Sequence, residues 1–289
     1  MSTLRRPFLL GAAAAMVGGP RLVQADEPTD ASALPPVVYV GHGGPNLAIS
    51  RVRGEELGAW GQRFPPVRGV VAVTPHYRAR GIELGAVAEA PESLYSFPTQ
   101  FRRQLQGMRY PLGDNRTLAE RVREVLEAQF SVAASARTGV DHTTWMSLVH
   151  LFPEGIPVVE VALPVTHHDR DLFALGQALR PLRSEGLLIH CSGNATHNLA
   201  AMRARNTPAE FARTFDAWVR DTLQAGDVDA LINWRRAAPN PYVAHPDDGG
   251  HFDVLLVGLG AAGSADGVAF PVEGFEMATL SKRCIELPG

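Results

Sequence analysis

Cysteine is nearly absent: Cys191 and Cys284 are the only two in 289 residues. Two thiols so far apart write no disulfide framework and no thiolate metal site. A single bridge in an oxidising compartment stays open, because sequence does not give the separation of the sulfurs. Lysine is scarcer still, with Lys282 alone, so arginine carries nearly all the positive charge. Basic residues number 27 against 30 acidic ones, a net charge of −3. Such a surface offers no footprint for nucleic acid or anionic lipid. There is no internal repeat and no low-complexity tract. Hydrophobic content of 45% and charged content of 20% are globular values that exclude disorder.

The apolar stretch near the N-terminus is too brief to span a bilayer as a settled helix. It follows Arg5-Arg6 in "STLRRPFLLGAAAAMVGG" and leads to "VQADEP", a small-x-small pattern ending at Ala25. This resembles a twin-arginine export signal, with an ordinary Sec signal or an uncleaved anchor as alternatives. Residues 1–25 are expected to engage the twin-arginine machinery and be removed, leaving a periplasmic or exported protein with no membrane attachment. Losing Arg5, Arg6 and Arg21 leaves 24 basic residues against 30 acidic, near −6. That route carries folded proteins, which suits an enzyme that acquires a metal before export. Residues 26–35 read as a proline-bearing linker and 36–289 as one domain.

What the chain has in plenty is continuous apolar runs: "PVVYVGH", "GVVAVTPH", "IPVVEVALP" and "EGLLIHCSG". Runs without alternation are the pattern of strands covered on both faces, as in a parallel sheet. Helical spacing lies between them, at Leu118, Val122, Val125, Leu126 and Phe130, and at Leu172, Leu175, Leu179 and Leu182 before Gly186. Thr207-Pro208-Ala209-Glu210 reads as a capping box opening a helix that Gly226 ends. Strands alternating with helices predict a single α/β domain with a mostly parallel central sheet flanked by helices.

Chemistry concentrates where those runs stop. His42 follows the first and His76 the second; His197 follows the strand ending at Ser192-Gly193. His251 precedes the helical run of Leu255, Leu256 and Leu259, with His245 six residues earlier, and His142 stands beside Asp141 in "VDHTTWMSLVHLFP". In open α/β sheets ligands bind outside the carboxyl ends of strands. Neutral imidazole is the commonest metal ligand, so histidines after separate strands predict a shared divalent metal. His150, inside an apolar helical run, and His190, inside a strand, are expected to be structural, and His167 and His168 to be solvated. Tyr77 and Tyr95 are expected to pack, with substrate contact as the alternative.

Six ordered blocks carry a resemblance over residues 36–263: "VGHGGPN", "TPHYRARG", "SLYSFPTQFRRQL", "DHTTWMSLVHLFPEGIPVVEVALP", "SGNATHNL" and "HFDVLLVGLGAAG". Together the chain resembles the class III extradiol ring-cleavage dioxygenases, and within them the DOPA-dioxygenase type. The resemblance implies that His42, His76 and His251 hold the metal. His197 matches a histidine that is either a further ligand or an acid/base neighbour. His142 matches one that contacts substrate and moves protons. One departure is the extra residue between Pro246 and His251, which leaves His245 as a minor alternative ligand.

The implied reaction opens a catechol with O2 to a muconic semialdehyde, with Fe(II) for turnover and Zn(II) able to occupy the same histidines. Two alternatives remain at this level. One is a zinc hydrolase, with Glu92 or Asp141 as its base. The other is a non-catalytic metal-binding protein on the same fold.

Overall fold

Each of the four apolar runs becomes a strand whose residues are buried in both directions. The structure is a computed structural model and describes residues 33–97, 99–105, 107–205 and 207–288. The export signal expected at 1–25 and linker residues 26–32 lie outside the described residues.

Six strands build the central sheet: β1 (Val37–Gly41), β2 (Gly69–Val73), β3 (Leu112–Gly113), β4 (Ile156–Glu160), β5 (Leu187–Gly193) and β6 (Ile285–Leu287). Their spatial order is β6-β1-β5-β2-β4-β3. All neighbouring pairs are parallel except β6, which runs antiparallel to β1 at the edge. The pleat sorts alternate residues into two cores. Val37, Tyr39, Val71, Val73, Ile189 and Cys191 face one. Val38, Val40, Val70, Ala72, Leu188 and Cys284 face the other.

Among the described residues, six helices of ten residues or more cover the sheet: α1 (Arg51–Gly61), α2 (Arg116–Glu127), α3 (His142–Leu151), α4 (Asp169–Leu179), α5 (Glu210–Gln224) and α6 (Gly250–Ala262). The core holding Cys284 also holds Leu57 and Trp60 of α1 and Trp145, Met146 and Leu148 of α3. The opposite core holds apolar residues of α2, α4, α5 and α6. Every residue of α6 is buried, because α4 lies directly against it. A Cβ at Gly176 would come 2.0 Å from the Val257 carbonyl oxygen, and one at Gly260 would come 2.0 Å from that of Phe173. The two backbones therefore touch, and only glycine fits at the crossing.

One open question closes and two expectations change. Cys191 and Cys284 are free thiols packed in the two different cores, so the sheet separates them and no bridge forms. Helix α5 begins at Glu210 with Ala209 as its N-cap and no side-chain cap. The Thr207 capping box is not used, because the Ala209 N–H donates to the Ala278 carbonyl 2.8 Å away. His168 is exposed as expected, but the His167 side chain is only 7% exposed and lies 3.3 Å from Asp253. Among the described residues, no helix is long and apolar enough to cross a membrane.

Candidate metal centre

The strand ends do what open α/β sheets lead one to expect: the turns after β1, β2 and β5 and the N-termini of α3 and α6 meet at one edge of the sheet. His42 follows β1, His76 follows β2, His197 lies in the turn after β5, and His142 and His251 occupy the first turns of α3 and α6. The imidazole centroids of His42, His76 and His251 form a triangle with sides of 6.1, 5.5 and 5.3 Å. His142 lies 4.9 Å from His76. His197 stacks on His251, centroids 3.5 Å apart and planes within 11°.

His42, His142 and His197 each have a ring nitrogen hydrogen-bonded to the protein, while His76 and His251 face carboxylates. His42 Nδ1 bonds the Gly43 carbonyl at 2.9 Å, which makes Nδ1 the protonated nitrogen and leaves a lone pair on Nε2. The Asn194 amide lies 3.2 Å from that Nε2, while its carbonyl accepts the Gly43 N–H at 2.8 Å. Gly43 takes a left-handed φ of 65°, a conformation that costs glycine nothing and lets the chain turn immediately after His42. His76 Nδ1 is 3.3 Å from Asp141 Oδ1. His197 Nδ1 is 3.0 Å from Asp247 Oδ2, which is also 4.0 Å from His251 Nδ1. Carboxylates behind imidazoles fix tautomer and aim in metal sites.

Asp141 is fully buried and multiply committed. Oδ1 accepts from the Thr143 N–H at 2.9 Å, capping α3, and from the Thr143 hydroxyl at 2.7 Å. Oδ2 accepts from the Ser96 hydroxyl at 2.8 Å, and Ser96 Oγ lies 3.0 Å from His142 Nδ1. Burial pushes the Asp141 carboxyl up, but hydrogen bonds and charge from His142 and His76 outweigh it and hold the group well below the usual carboxylate range. Glu160 lies behind, accepting from the Asp141 N–H at 3.0 Å and the Thr144 hydroxyl at 2.8 Å. Burial, with the Asp141 charge, raises it to about 8.

Burial, reinforced by the neighbouring histidines, holds His42 and His251 well below the ordinary imidazole value. They stay neutral, as metal ligands must be. The His251 Nε2 is a buried polar atom with no hydrogen-bond partner among the described residues. A buried ring nitrogen left without a partner among other histidines calls for an explanation. An orphaned ring nitrogen, the neutral rings of His42 and His251 and the carboxylate supports fit a divalent cation. Residue sets close enough to hold an ion include His76 with Asp141 and His142, and His197 with Asp247 and His251.

The structure thus brings His42, His76, His142, His197 and His251 together and leaves the other histidines out. His245 is caged by Phe215, Trp234 and Phe252. It donates Nε2–H to the Ala195 carbonyl at 3.0 Å, and burial lowers it to about 4. His190 bonds Ser147 inside the core, and His150 bonds the Leu47 carbonyl. Tyr77 and Tyr95 pack, Tyr77 beneath Arg137 and Tyr95 against Phe97 and Trp145. Sequence reasoning missed the supports Asp247, Ser96, Asn194 and Glu160. Only Asp247 had a local signal: it belongs to the Asp247-Asp248-Gly249-Gly250 segment before His251 that carries the extra residue. There Asp247 accepts the Gly249 N–H at 3.0 Å, and Asp248 pairs with Arg78.

A cleft of about 650 Å³ opens beside the centre, lined by His76, Leu94, Ser96, Arg137, Thr138 and Asp141. A family model described as the catalytic LigB subunit of aromatic ring-opening dioxygenase matches residues 36–284. The chain is 31% identical over 242 residues to a 4,5-DOPA dioxygenase extradiol of Beta vulgaris, covering 78% of this chain and 86% of that protein. A protein of the same name from Escherichia coli K12 is 28% identical over 267 residues, covering 87% and 94%. A crystal structure of an uncharacterized Escherichia coli K12 protein superposes with a TM-score of 0.72 at 27% identity, covering 88% of this chain and 99% of that one.

Proposed function

The chain belongs to the family of catalytic LigB subunits of aromatic ring-opening dioxygenases, and from that premise we propose that it opens catechol-type diols by extradiol cleavage with O2. The observation that carries the reading is the triangle of His42, His76 and His251, in which the Nε2 of His251 has no hydrogen-bond partner among the described residues. These three residues would hold the divalent ion. Ferrous iron serves turnover, while zinc suits the same donors but is redox-inert. When bound, the ion supplies electron transfer between diol and dioxygen.

The remaining work falls to side chains. His142, with Nδ1 held by Ser96, takes a catechol hydroxyl proton at Nε2, and the adjacent Asp141 carboxylate stabilises the imidazolium that results. His197, with Nδ1 on Asp247, in its protonated form gives the Nε2 proton to the oxygen released when the O–O bond breaks and takes a new one from solvent. Its stacking on His251 supports this role over that of a fourth ligand, since parallel rings direct their lone pairs side by side rather than to one point. Phe97, with its ring edge-on to His142 at 5.1 Å, helps to keep water from that imidazole. The hydrolase alternative finds neither expected carboxylate poised: Asp141 is fully engaged, and Glu92 is not among the residues lining the cleft beside the centre.

The test uses protein loaded with ferrous iron without oxygen and then given a panel of catechols. One O2 consumed per catechol, with a yellow semialdehyde, is expected. Silence across the panel with iron bound would overturn the reading. The proposal extends to location: residues 1–25 direct twin-arginine export. Replacing Arg5 and Arg6 by lysine should leave the full chain in the cytoplasmic fraction.

A further inference from the structure

Between α6 and β6 the chain folds into a short hairpin, with Phe275–Glu276 antiparallel to Leu280–Ser281. At its tip Met277 and Ala278 take left-handed φ values of 52° and 66°. Residues with a side chain rarely adopt that conformation, and it persists where the surroundings impose it. Both tip carbonyls are in use: Met277 accepts the Arg203 N–H at 3.0 Å and Ala278 the Ala209 N–H at 2.8 Å. The next residue, Thr279, is fully buried and bonds both neighbours of His197. Its hydroxyl donates to the Asn198 carbonyl at 2.8 Å, and its carbonyl accepts from the Thr196 hydroxyl at 2.8 Å. The Ser281 N–H donates to the Thr196 carbonyl at 3.3 Å. The same hairpin reaches the His42 turn, where the Glu276 carboxylate accepts the Gly44 N–H at 3.2 Å.

We propose that Thr279 is a positioning residue for proton transfer: it fixes the turn that carries His197, and with it the direction of Nε2. The inference rests on the ring-cleavage reading, in which His197 gives a proton. His197 belongs to no helix or strand, so no ladder of backbone bonds holds it. Its own N–H donates to the Ala244 carbonyl at 3.0 Å, and Asp247 holds Nδ1 at 3.0 Å. Both of those contacts come from the segment before α6. The residues on either side of the histidine are held instead by Thr279, about 80 residues away in the chain. A proton donor misplaced by about 1 Å loses on the order of 10²-fold in rate, so a turn without regular structure needs such ties. The Thr279 hydroxyl donates to Asn198, not to a residue of the His42, His76 and His251 set, so its loss leaves the ligands' own contacts in place.

Thr279→Val keeps the shape of the side chain and removes the hydroxyl, and Thr279→Ser restores it. In the iron-loaded protein Thr279→Val should lower kcat about 10- to 100-fold with KM and zinc affinity unchanged, and Thr279→Ser should recover most of the rate. A second readout does not depend on turnover. In zinc-loaded, nitrogen-15-labelled protein, the His197 Nδ1 proton given to Asp247 should exchange with water about tenfold faster in Thr279→Val, the scale of one lost hydrogen bond. Should Thr279→Val fail to fold, Thr196→Val removes the other tie and is expected to give the same two changes. Wild-type kcat in a folded variant, a loss that Thr279→Ser does not recover, or an unmoved exchange rate would overturn the proposal. Faster exchange in Thr279→Val, with no turnover by the wild-type iron protein, would keep the hold on His197 and sink the dioxygenase. Turnover by the wild type, with rate and exchange both unmoved in the variant, would do the reverse.

Discussion

Asp247 Oδ2 hydrogen-bonds His197 Nδ1 at 3.0 Å and lies 4.0 Å from Nδ1 of the His251 ring stacked on it, so one carboxylate holds the first ring directly and acts on the second through that stack and its charge. Removing it should loosen both rings. Asp247→Ala is expected to weaken metal affinity about 10- to 100-fold, the usual cost of losing a support behind a ligand. Zinc titration against a competing chelator measures it, and affinity equal to wild type would mean that the stacking alone aims His251.

The proposed ligands and the proposed proton carriers should separate on metal content. His42→Ala and His251→Ala should lose stoichiometric metal after dialysis while keeping the wild-type circular dichroism spectrum. His142→Ala should keep its metal and lose about 10²- to 10⁴-fold in turnover, the range for a positioned acid or base. Metal loss in His142→Ala would move that residue into the ligand set.

Glu160 gives a pH dependence of known sign. Its folded value of about 8 lies above the ordinary 4.5, so between these values the folded state holds a proton that the unfolded chain has released. Its contribution is fully present below about 4.5 and is lost as pH rises toward 8, at up to ~1.4 kcal/mol per pH unit. Glu160→Gln keeps the Oε1 acceptor and removes the titration. The variant should gain stability relative to wild type as pH goes from 5 to 8, by roughly 1 kcal/mol or more at pH 8. Parallel urea curves at both pH values would rule the buried acid out.

His245 and His190 act in the opposite direction. Burial lowers both to about 4, so below 6.5 the unfolded chain takes up protons that the folded core refuses. Stability should fall as pH drops from 6.5 toward 4, by up to ~1.4 kcal/mol per unit for each group. Urea midpoints of metal-free protein at pH 7 and 5 report this.

At the α4–α6 crossing, Gly176→Ala should destabilise the fold by about 1–3 kcal/mol, since the new methyl meets the Val257 carbonyl and the helices must part. A substitution without effect on the urea midpoint would show that α4 can slide on α6.

Much of this was legible in one dimension. Runs such as "GVVAVTPH" and "EGLLIHCSG" have no alternation, so they had to be covered on both faces, and their histidine-bearing ends had to lie at one edge of a parallel sheet. That reasoning, with the family resemblance, reached His42, His76, His142, His197 and His251. It did not reach β6, a three-residue strand with too little pattern to separate it from a loop. Nor did it reach the helix start at Glu210, which the Ala278 carbonyl decides.

Local periodicity records which face of an element is apolar, and that is a property of the chain itself. Partnership between polar groups is not. Asp141 meets His76 across 65 residues, Asp247 meets His197 across 50, and Arg137 covers Tyr77 across 60. Each pairing depends on side chains from separate strands and helices arriving within a few ångströms. The sequence alone determined the sheet, its buried strands and the histidines at their ends. Only the tertiary structure decided which carboxylate aims which imidazole.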